Sequence, residues 1–368
     1  MNQRQRIAYD GRLAIEPFRG MGRYLRTLIG DRRDALMGFC AAGESSQSLP
    51  LIAEGVRFYP VWEQWSLPKQ IEKFRVETFI APYNTAPLRL GSNVRLVLIV
   101  HDLIFLEPAP LSRSLYQNVG RIYRRQVVSR AVPKAQMILT VSEYTKSQIV
   151  QRFRIAPERI RVIPCSLGAE WFDGENQHVR REHAIFTVSG EAPSKNLGRA
   201  IEAFARYLAF SGDRDIRFRI AGVRRKFHSA FLKQGERLGV RGQLELYGYL
   251  SDEAIRRLYI TSEVFLLASI SEGFGIPVLE AMASRTPVIL SSGGSLPEVG
   301  GDSALYFNPY SVDEMACTLY DVLSNESKRD ALSIAGSYRV LSFSESFVRP
   351  LIEDFWRSLD QVEDGQVK

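Results

Sequence analysis

Apolar runs of strand length alternate along the chain with longer segments whose apolar residues recur at helical spacing. Short, nearly continuous apolar strands separated by helices are typical of parallel sheets covered on both faces. Five runs in the first half predict strands at residues 6–9, 78–81, 96–100, 137–141 and 161–164. Six further runs predict strands at residues 184–189, 217–221, 244–247, 264–267, 287–290 and 304–307.

Two such series in succession predict an α/β protein of two doubly wound, Rossmann-like domains. The length of 368 residues suits two domains better than one. Residues 166–182 are the predicted linker, which gives domains at 1–168 and 169–345. A last apolar helical pattern spans residues 346–361 and includes Phe347, Leu351, Phe355 and Trp356.

The composition, with 45% apolar and 24% charged residues, is that of an ordinary globular protein. No run approaches the roughly 18 apolar residues of a membrane span, and the first residues do not resemble a signal peptide. We therefore expect a cytoplasmic location. The three cysteines and four histidines show no metal-ligand spacing. Asp213 and Asp215 resemble a metal-binding pair but fall in a polar segment, which predicts a solvated turn.

The net charge of +7 is unevenly distributed along the chain. Residues 1–168 hold 25 basic and 13 acidic residues, a net +12, and the other 200 hold 23 and 28, a net −5. A basic first half indicates an anionic partner, such as a membrane leaflet or a phosphorylated ligand, or is simply a solvated face. No nucleic-acid-binding motif accompanies the charge, so nucleic acid is not expected.

The loop after the strand at 264–267 has the strongest ligand-binding pattern, Ser-Glu-Gly-Phe-Gly-Ile-Pro-Val-Leu-Glu-Ala-Met at residues 271–282. Its glycines allow backbone N–H groups to approach a ligand, and Pro277 suits the first position of a helix. The start of a helix favours phosphate. Glu272 precedes the helix and Glu280 lies about one turn into it, and carboxylates there suit sugar or ribose hydroxyls. The alternative is a tight turn with a surface glutamate.

Three further loops could contribute to a ligand site. The segment from Ser189 to Asn196 follows the first strand of the second domain, and its Lys195 suits a pyrophosphate, although a capping loop explains it equally well. The Gly-Met-Gly at residues 20–22 lacks the third glycine of a dinucleotide fingerprint, which disfavours a dehydrogenase and leaves a flexible glycine loop. His101 and Asp102 follow the strand at 96–100, where open α/β sheets bind ligands.

Together these motifs resemble glycosyltransferase family 4, which has the GT-B fold of two Rossmann-like domains facing each other across a cleft. The strongest parts are the Glu272-to-Glu280 segment, Thr286-Pro-Val-Ile and Ser295-Leu-Pro-Glu-Val. Supporting parts are Lys195-Asn-Leu, Gly248-Tyr-Leu-Ser-Asp, Val141-Ser-Glu, Gly20-Met-Gly-Arg and His101-Asp. The resemblance covers nearly the whole chain and is greatest to bacterial mannosyltransferases of surface-polysaccharide assembly.

The resemblance implies roles for individual residues. Glu280 would bind the ribose, and Glu272 would hold hydroxyls of the transferred sugar. Lys195 would neutralise the pyrophosphate, and His101 would touch the sugar, so that His101, Lys195 and Glu272 form the catalytic set. The implied donor-binding residues are Gly22, Asp102, Ser189, Gly190, Lys195, Asn196, Tyr249, Leu250, Glu272, Gly273, Phe274, Gly275, Ile276 and Glu280. The closing helix at 346–361 would cross back onto the first domain.

The implied reaction is retaining transfer of a hexose, with mannose from GDP-mannose favoured, to a lipid-linked or oligosaccharide acceptor. Pyrophosphate departure would be stabilised electrostatically, without a metal ion or other cofactor. A UDP-hexose or deoxysugar donor, or a catalytically silent nucleotide-sugar-binding protein, are the alternatives. Two positions depart from the family: Ser189-Gly190 stand where many relatives carry an arginine, and Arg285 stands where relatives usually have glycine.

The segment at residues 113–130 predicts a basic amphipathic helix that could lie on the inner face of the cytoplasmic membrane. Its basic residues are Arg113, Arg121, Arg124, Arg125 and Arg130. They are interleaved with Leu115, Tyr116, Val119, Ile122, Tyr123 and Val127. The alternative is that its apolar side packs on the core of the first domain.

Overall fold

The structure, a computed structural model, describes residues 6–16, 20–107, 115–172 and 179–361. The chain forms two compact units, Met1–Ser166 with Val348–Lys368, and Leu167–Phe347. Each unit is built on one parallel sheet, and helices connect most of its successive strands. This confirms the prediction of a two-domain, doubly wound α/β protein.

The first unit contains a seven-stranded sheet. Its strands are β1 (Ile7–Asp10), β2 (Met37–Cys40), β3 (Leu51–Ala53), β4 (Thr78–Ala81), β5 (Arg95–Val100), β6 (Met137–Thr140) and β7 (Ile160–Val162). They lie in the order β3-β2-β1-β4-β5-β6-β7. The helices are α1 (Gly20–Ile29), α2 (Tyr59–Val61), α3 (Leu67–Lys73), α4 (Leu115–Lys134) and α5 (Glu143–Phe153), with a π-helical turn at Trp62–Ser66.

The second unit contains a six-stranded sheet. Its strands are β8 (Glu182–Val188), β9 (Arg217–Ala221), β10 (Leu244–Leu246), β11 (Ser262–Leu267), β12 (Val288–Ser291) and β13 (Ala304–Phe307). They lie in the order β10-β9-β8-β11-β12-β13. The helices are α6 (Leu197–Ser211), α7 (Arg225–Arg237), α8 (Asp252–Thr261), α9 (Ile276–Ala283), α10 (Leu296–Gly300), α11 (Val312–Leu323) and α12 (Glu326–Arg339).

The eleven predicted strands are all present, with ends that differ by at most two residues. The pattern missed β2 and β3, which extend the first sheet beyond β1. Gly38 interrupts the apolar run of β2, and β3 is a three-residue edge strand that is only partly buried. Edge strands of this kind lack the continuous apolar run by which buried parallel strands are recognised.

The glycine segment at residues 20–22 is helical, which corrects the prediction of a flexible loop. α1 begins at Gly20, and Gly22 is buried within it. Leu25 and Leu28 on the same helix are almost completely buried. Burial of each such side chain contributes about 1.5–3 kcal/mol, which outweighs the roughly 1 kcal/mol that a glycine costs a helix.

The closing helix α13 (Glu345–Asp360) packs on the first unit, as the fold class predicted. Trp356 is buried, and its Nε1 donates to the carbonyl oxygen of Leu28 at 2.9 Å. Phe355 is also buried, whereas Phe347 and Leu351 are exposed. Val348, next to the exposed Phe347, is buried as well, so the packing face runs along the helix and excludes the predicted Phe347 and Leu351.

The two alternatives for the basic helix α4, an exposed amphipathic face and packing on the core of the first unit, each describe one part of it. Val127 and Val128 lie in the core of the first unit, whereas Val119 and Ile122 are 58% and 57% exposed. Arg113, together with the side chains of Leu115 and Tyr116, lies outside the described residues. The carboxyl half of the helix packs on the core, and the half before it leaves apolar side chains in solvent.

Two turns of the second unit differ from a simple solvated loop. Asp213 accepts hydrogen bonds from the hydroxyl of Tyr207 and from Nε2 of His183, both at 2.8 Å, so its carboxylate is part of a side-chain network. Arg285 has a φ of +57°, a conformation that favours glycine. Its carbonyl oxygen accepts hydrogen bonds from Arg181 and Ser333, which hold the strained turn in place.

Candidate active site

The loop between β11 and α9 lies at the carboxyl edge of the second sheet. Strand β11 is buried, and Gly275 ends the loop with a φ of +112° that a side chain would rarely adopt. Pro277 is the second residue of α9, where its missing N–H costs nothing. The N–H of Val278 donates to the carbonyl oxygen of Gly275 at 2.9 Å, and α9 begins at this edge with the positive end of its dipole.

The structure brings together two residues that the sequence placed in separate loops. Nζ of Lys195 lies 2.6 Å from Oε1 of Glu272, and the hydroxyl of Ser269 donates to the same oxygen at 2.6 Å. Lys195 belongs to a 3-10 turn, Pro193–Lys195, which follows β8. The lysine side chain is 37% exposed and the glutamate 14% exposed, so the pair sits at the surface of the edge with the carboxylate turned inward.

The backbone around Glu272 is held by the loop that follows β12. The hydroxyl of Ser295 donates to the carbonyl oxygens of Phe274 and Glu272, at 2.9 and 3.1 Å. A Cβ atom added at Gly294, whose φ is +67°, would overlap the backbone N and O of Glu272. A Cβ atom added at Gly293 would likewise overlap the carbonyl oxygen of Ile270. Glycine is therefore required at both positions for the loop to keep its shape.

Glu280 is fixed within α9 by a buried tyrosine. The hydroxyl of Tyr259 donates to Oε2 of Glu280 at 2.9 Å. Burial, and then the neighbouring carboxylate, raise the pKa of Tyr259 well above its usual value, so it remains a hydrogen-bond donor. This bond orients a half-buried carboxylate at the position predicted for a ribose ligand.

Asn196 has a structural role that the sequence did not reveal. Its φ is +58°, and its side-chain Nδ2 donates to the carbonyl oxygens of Ala268 and Pro309, at 3.0 and 2.7 Å. Its Oδ1 accepts from Arg199 at 3.0 Å. The side chain thus ties the loop that carries Lys195 to the end of β11, and the predicted contact of Asn196 with a donor stays a prediction.

The loop at Ser189 and Gly190 lies against the end of β9 and against Gly222, which follows it. The N–H of Ser189 donates to Ala221 at 2.8 Å, and the space around Gly190 is open. Beside them, Nε of Arg224 lies 2.6 Å from Oε1 of Glu191. Arg224 was not among the predicted residues, because nothing local marks a basic residue after β9 as part of this edge.

Tyr249 and Leu250 extend the same edge. The carbonyl oxygen of Gly248 accepts from Gly222 at 3.1 Å, which joins the loops after β9 and β10. Tyr249 is 60% exposed, and Ser251 caps α8 by accepting from the N–H of Ala254. The exposed ring is accessible to a ligand, and its predicted contact with a base stays a prediction.

His101, Asp102 and Gly22 belong to the first unit. His101 follows β5 and is almost completely buried, with its ring edge against Tyr24 at a centroid distance of 5.1 Å. Burial lowers the pKa of His101 to about 4. Its Nε2 lies 2.9 Å from the carbonyl oxygen of Pro82, which can only accept, so Nε2 carries the proton and Nδ1 is the acceptor. Asp102 accepts from the N–H of Ile104 at 3.0 Å.

Among the residues that the structure describes, no group of three or more His, Cys, Asp or Glu side chains is arranged to hold a metal ion. In the same part of the chain, no helix combines the length and the apolar character needed to cross a membrane.

Family models account for most of both units. Residues 172–338 match the model for glycosyl transferases group 1, and residues 25–169 match the model for glycosyltransferase family 4. The sucrose-phosphate synthase of Thermosynechococcus elongatus has a similar fold, with a TM-score of 0.76 at 17% identity over 98% of this chain and 100% of that one. Two units, each built on a parallel sheet, are the fold of GT-B glycosyltransferases. In the second unit, a glycine loop leads into a helix at the edge of the sheet.

The chain belongs to glycosyltransferase family 4, which confirms the resemblance seen in its motifs. It is 30% identical to the MMP alpha-(1->4)-mannosyltransferase of Mycolicibacterium hassiacum over 63% of this chain, and the match spans 54% of that protein. It is 27% identical to O-antigen chain mannosyltransferase B of Escherichia coli over 80% of this chain and 77% of that one.

Proposed function

We propose that the protein is a retaining glycosyltransferase that moves mannose from GDP-mannose to a lipid-linked or oligosaccharide acceptor in surface-polysaccharide biosynthesis. The observation behind this proposal is the contact between Lys195 and Glu272 beside the glycine loop that opens α9. The choice of mannose is supported by two relatives that are named as mannosyltransferases.

In this proposal the diphosphate of the donor lies beside Lys195 and the first turn of α9. A lysine ammonium and unpaired N–H groups at a helix start are both favourable for phosphate. In the present structure Glu272 neutralises Lys195. A diphosphate would take over the lysine, and the glutamate would then accept hydrogen bonds from hydroxyls of the sugar. Binding thus exchanges one ion pair for another and leaves no buried charge without a partner.

The ribose would be held by Glu280. Its carboxylate is oriented by Tyr259, so little side-chain freedom is lost when a hydroxyl binds. Hydrogen bonds to a charged group contribute about 1.5–3 kcal/mol. Two carboxylates on one loop-helix segment would therefore bind two different parts of the same donor.

The chemical step would be driven by stabilising the departing nucleoside diphosphate. Negative charge develops on the leaving oxygen, and Lys195, once released from Glu272, would stabilise it together with the start of α9. His101 would contact the transferred sugar through Nδ1, since Nε2 is engaged with Pro82. The proposed reaction requires no metal ion or other cofactor held by the protein.

We further propose that the protein binds peripherally to the inner face of the cytoplasmic membrane, where a lipid-linked acceptor would be found. Helix α4 contains Arg121, Arg124, Arg125, Arg130 and Lys134 and no acidic residue. Each basic side chain near an anionic leaflet contributes about 1 kcal/mol. The exposed Val119 and Ile122 place apolar surface beside these charges.

A thermal-shift screen across nucleotide sugars tests the donor. A ligand at a hundredfold excess over its Kd stabilises the folded state by about 2.7 kcal/mol. We expect the largest shift with GDP-mannose, and smaller shifts with UDP-hexoses and nucleotide-activated deoxysugars. A larger shift with a UDP-hexose would overturn the choice of donor, and no shift with any nucleotide sugar would contradict the transferase proposal itself.

A further inference from the structure

A short segment of the first unit presents several large apolar side chains to solvent. Val56, Phe58, Val61 and Trp65 are 50%, 57%, 40% and 62% exposed. We refer to residues 56–65 as the aromatic segment. Isolated exposed apolar residues are ordinary, but four within ten positions, two of them aromatic, are typical of an interaction surface.

The backbone of the aromatic segment is firmly anchored. Trp62 is fully buried and its Nε1 donates to Oδ2 of Asp10 at 3.2 Å. Glu63 is 1% exposed and accepts hydrogen bonds from the hydroxyls of Thr85 and Tyr123. Because buried and exposed side chains alternate around this turn, the exposed aromatic rings are held outward by fixed structure and do not result from fraying.

The aromatic segment lies next to the basic helix α4. The rings of Tyr59 and Tyr123 meet edge to face with centroids 6.5 Å apart, and Nε2 of Gln64 donates to the hydroxyl of Tyr123 at 3.0 Å. Nζ of Lys69 lies 5.3 Å from the centroid of Trp65. Exposed aromatic rings beside basic side chains match the region between lipid headgroups and acyl chains.

We propose that the aromatic segment inserts Phe58 and Trp65 into an anionic lipid leaflet while α4 lies against the headgroups. This inference rests on the proposed membrane contact and extends it, because the insertion is assigned to residues outside α4. The charge of α4 favours an anionic lipid surface as the partner. Its five basic residues, with no acidic residue among them, complement lipid phosphates. Insertion into the membrane that carries a lipid-linked acceptor would hold the first unit at the membrane surface during transfer.

Tryptophan fluorescence tests insertion directly. Of the four tryptophans, Trp62, Trp171 and Trp356 are 0%, 5% and 3% exposed, so a change in emission on vesicle binding reports Trp65. The full-length protein would be mixed with vesicles of phosphatidylcholine alone or of equal parts phosphatidylcholine and phosphatidylglycerol. With the anionic vesicles we expect a blue shift, and quenching when the acyl chains carry bromine. In Trp65→Phe the shift and quenching should disappear while binding persists.

Trp65→Ala should weaken partitioning into anionic vesicles by about tenfold, since a buried aromatic side chain contributes strongly to transfer from water. Tyr338→Ala is the matched control, because Tyr338 is a 71% exposed aromatic residue of the second unit, and it should leave partitioning unchanged. Calorimetric binding of GDP-mannose should be equal in all variants.

Three results would overturn the inference. Vesicle binding without a change in Trp65 emission would show electrostatic docking alone. Equal losses of vesicle partitioning in Trp65→Ala and Tyr338→Ala would show that the aromatic segment contributes no more than an exposed aromatic residue elsewhere. Binding to neither vesicle type would remove the membrane surface altogether. Because donor binding is measured separately, each result leaves the transferase proposal to be judged on its own evidence.

Discussion

Replacing Lys195 with alanine tests whether its charge serves the reaction more than the fold. The side chain is 37% exposed, and its ion pair with Glu272 is therefore well screened by water. Such pairs contribute about 0–1 kcal/mol to stability. Glu272 would retain its hydrogen bond from Ser269. We expect the free energy of unfolding to fall by about 1 kcal/mol or less.

The loss in turnover should be much larger. A fixed donor that faces charge developing in the transition state is worth about 2.7–4 kcal/mol, or 10²–10³ in kcat. Since Ser189 and Gly190 supply no charge, Lys195 should account for a large share of this stabilisation. Arg224 beside Glu191 is a remaining cation at the same edge, so activity should not vanish.

The second unit offers a matched control for this substitution. Lys328 lies 2.6 Å from Asp321, and its side chain is 36% exposed, so the pair has the same length and lysine exposure as Lys195–Glu272. Urea unfolding and single-turnover kinetics would be measured for Lys195→Ala and Lys328→Ala. Similar stabilities with a kcat loss confined to Lys195→Ala are expected. The reasoning is refuted if Lys195→Ala keeps kcat within about threefold of wild type, or if both variants lose activity equally.

Three further substitutions follow from the site and its supports. Glu280→Ala should weaken binding of GDP by about 1.5–3 kcal/mol in calorimetry, because an oriented acceptor for the ribose is lost. Gly294→Ala should destabilise the protein by more than Gly212→Ala: both glycines have a positive φ, at a cost of about 1–2 kcal/mol, but only Gly294 abuts another backbone, that of the Glu272 loop. Burial makes the pKa of His101 lower in the folded protein than in the unfolded chain. As the pH falls, the unfolded chain therefore takes up a proton at this histidine before the folded protein does. The stability due to neutral His101 is therefore complete above about pH 6.5 and is lost as the pH falls toward about 4. The unfolding free energy of wild type should drop relative to His101→Gln by roughly 3 kcal/mol across that window.

Each of these has a clear contrary result. Unchanged affinity for GDP in Glu280→Ala would remove the ribose assignment. Equal destabilisation by Gly294→Ala and Gly212→Ala would show that contact with the Glu272 loop is unimportant. Parallel stability curves for wild type and His101→Gln between about pH 7 and pH 4 would show that this histidine titrates normally.

The sequence predicted all six strands of the second unit and five of the seven strands of the first. In the first unit, β3 has only three residues, two partly buried and one exposed, and no recognisable pattern. The two glycines at 20–22 suggested a loop, whereas the buried Leu25 and Leu28 make the segment helical. The local composition predicted the wrong conformation where packing against residues distant in the sequence determines it.

The candidate site shows the same limit. Lys195, Glu272 and Glu280 are candidates from the sequence because each lies in a loop or helix start with a recognisable local pattern. The contact of Lys195 with Glu272, and the support of that loop by Gly294 and Ser295, depend on which strands are neighbours in the sheet. Such contacts span tens of residues, and no spacing within one segment encodes them.

Calorimetric titration of GDP-mannose into wild type and Lys195→Ala tests the central claim most directly. We expect wild type to bind one equivalent, with affinity above that for UDP-glucose. Lys195→Ala should bind more weakly, by about tenfold or more, since a charge-assisted contact to the diphosphate is lost. Absence of binding in wild type, or identical affinities in wild type and Lys195→Ala, would contradict a nucleotide-sugar site at the Lys195–Glu272 pair.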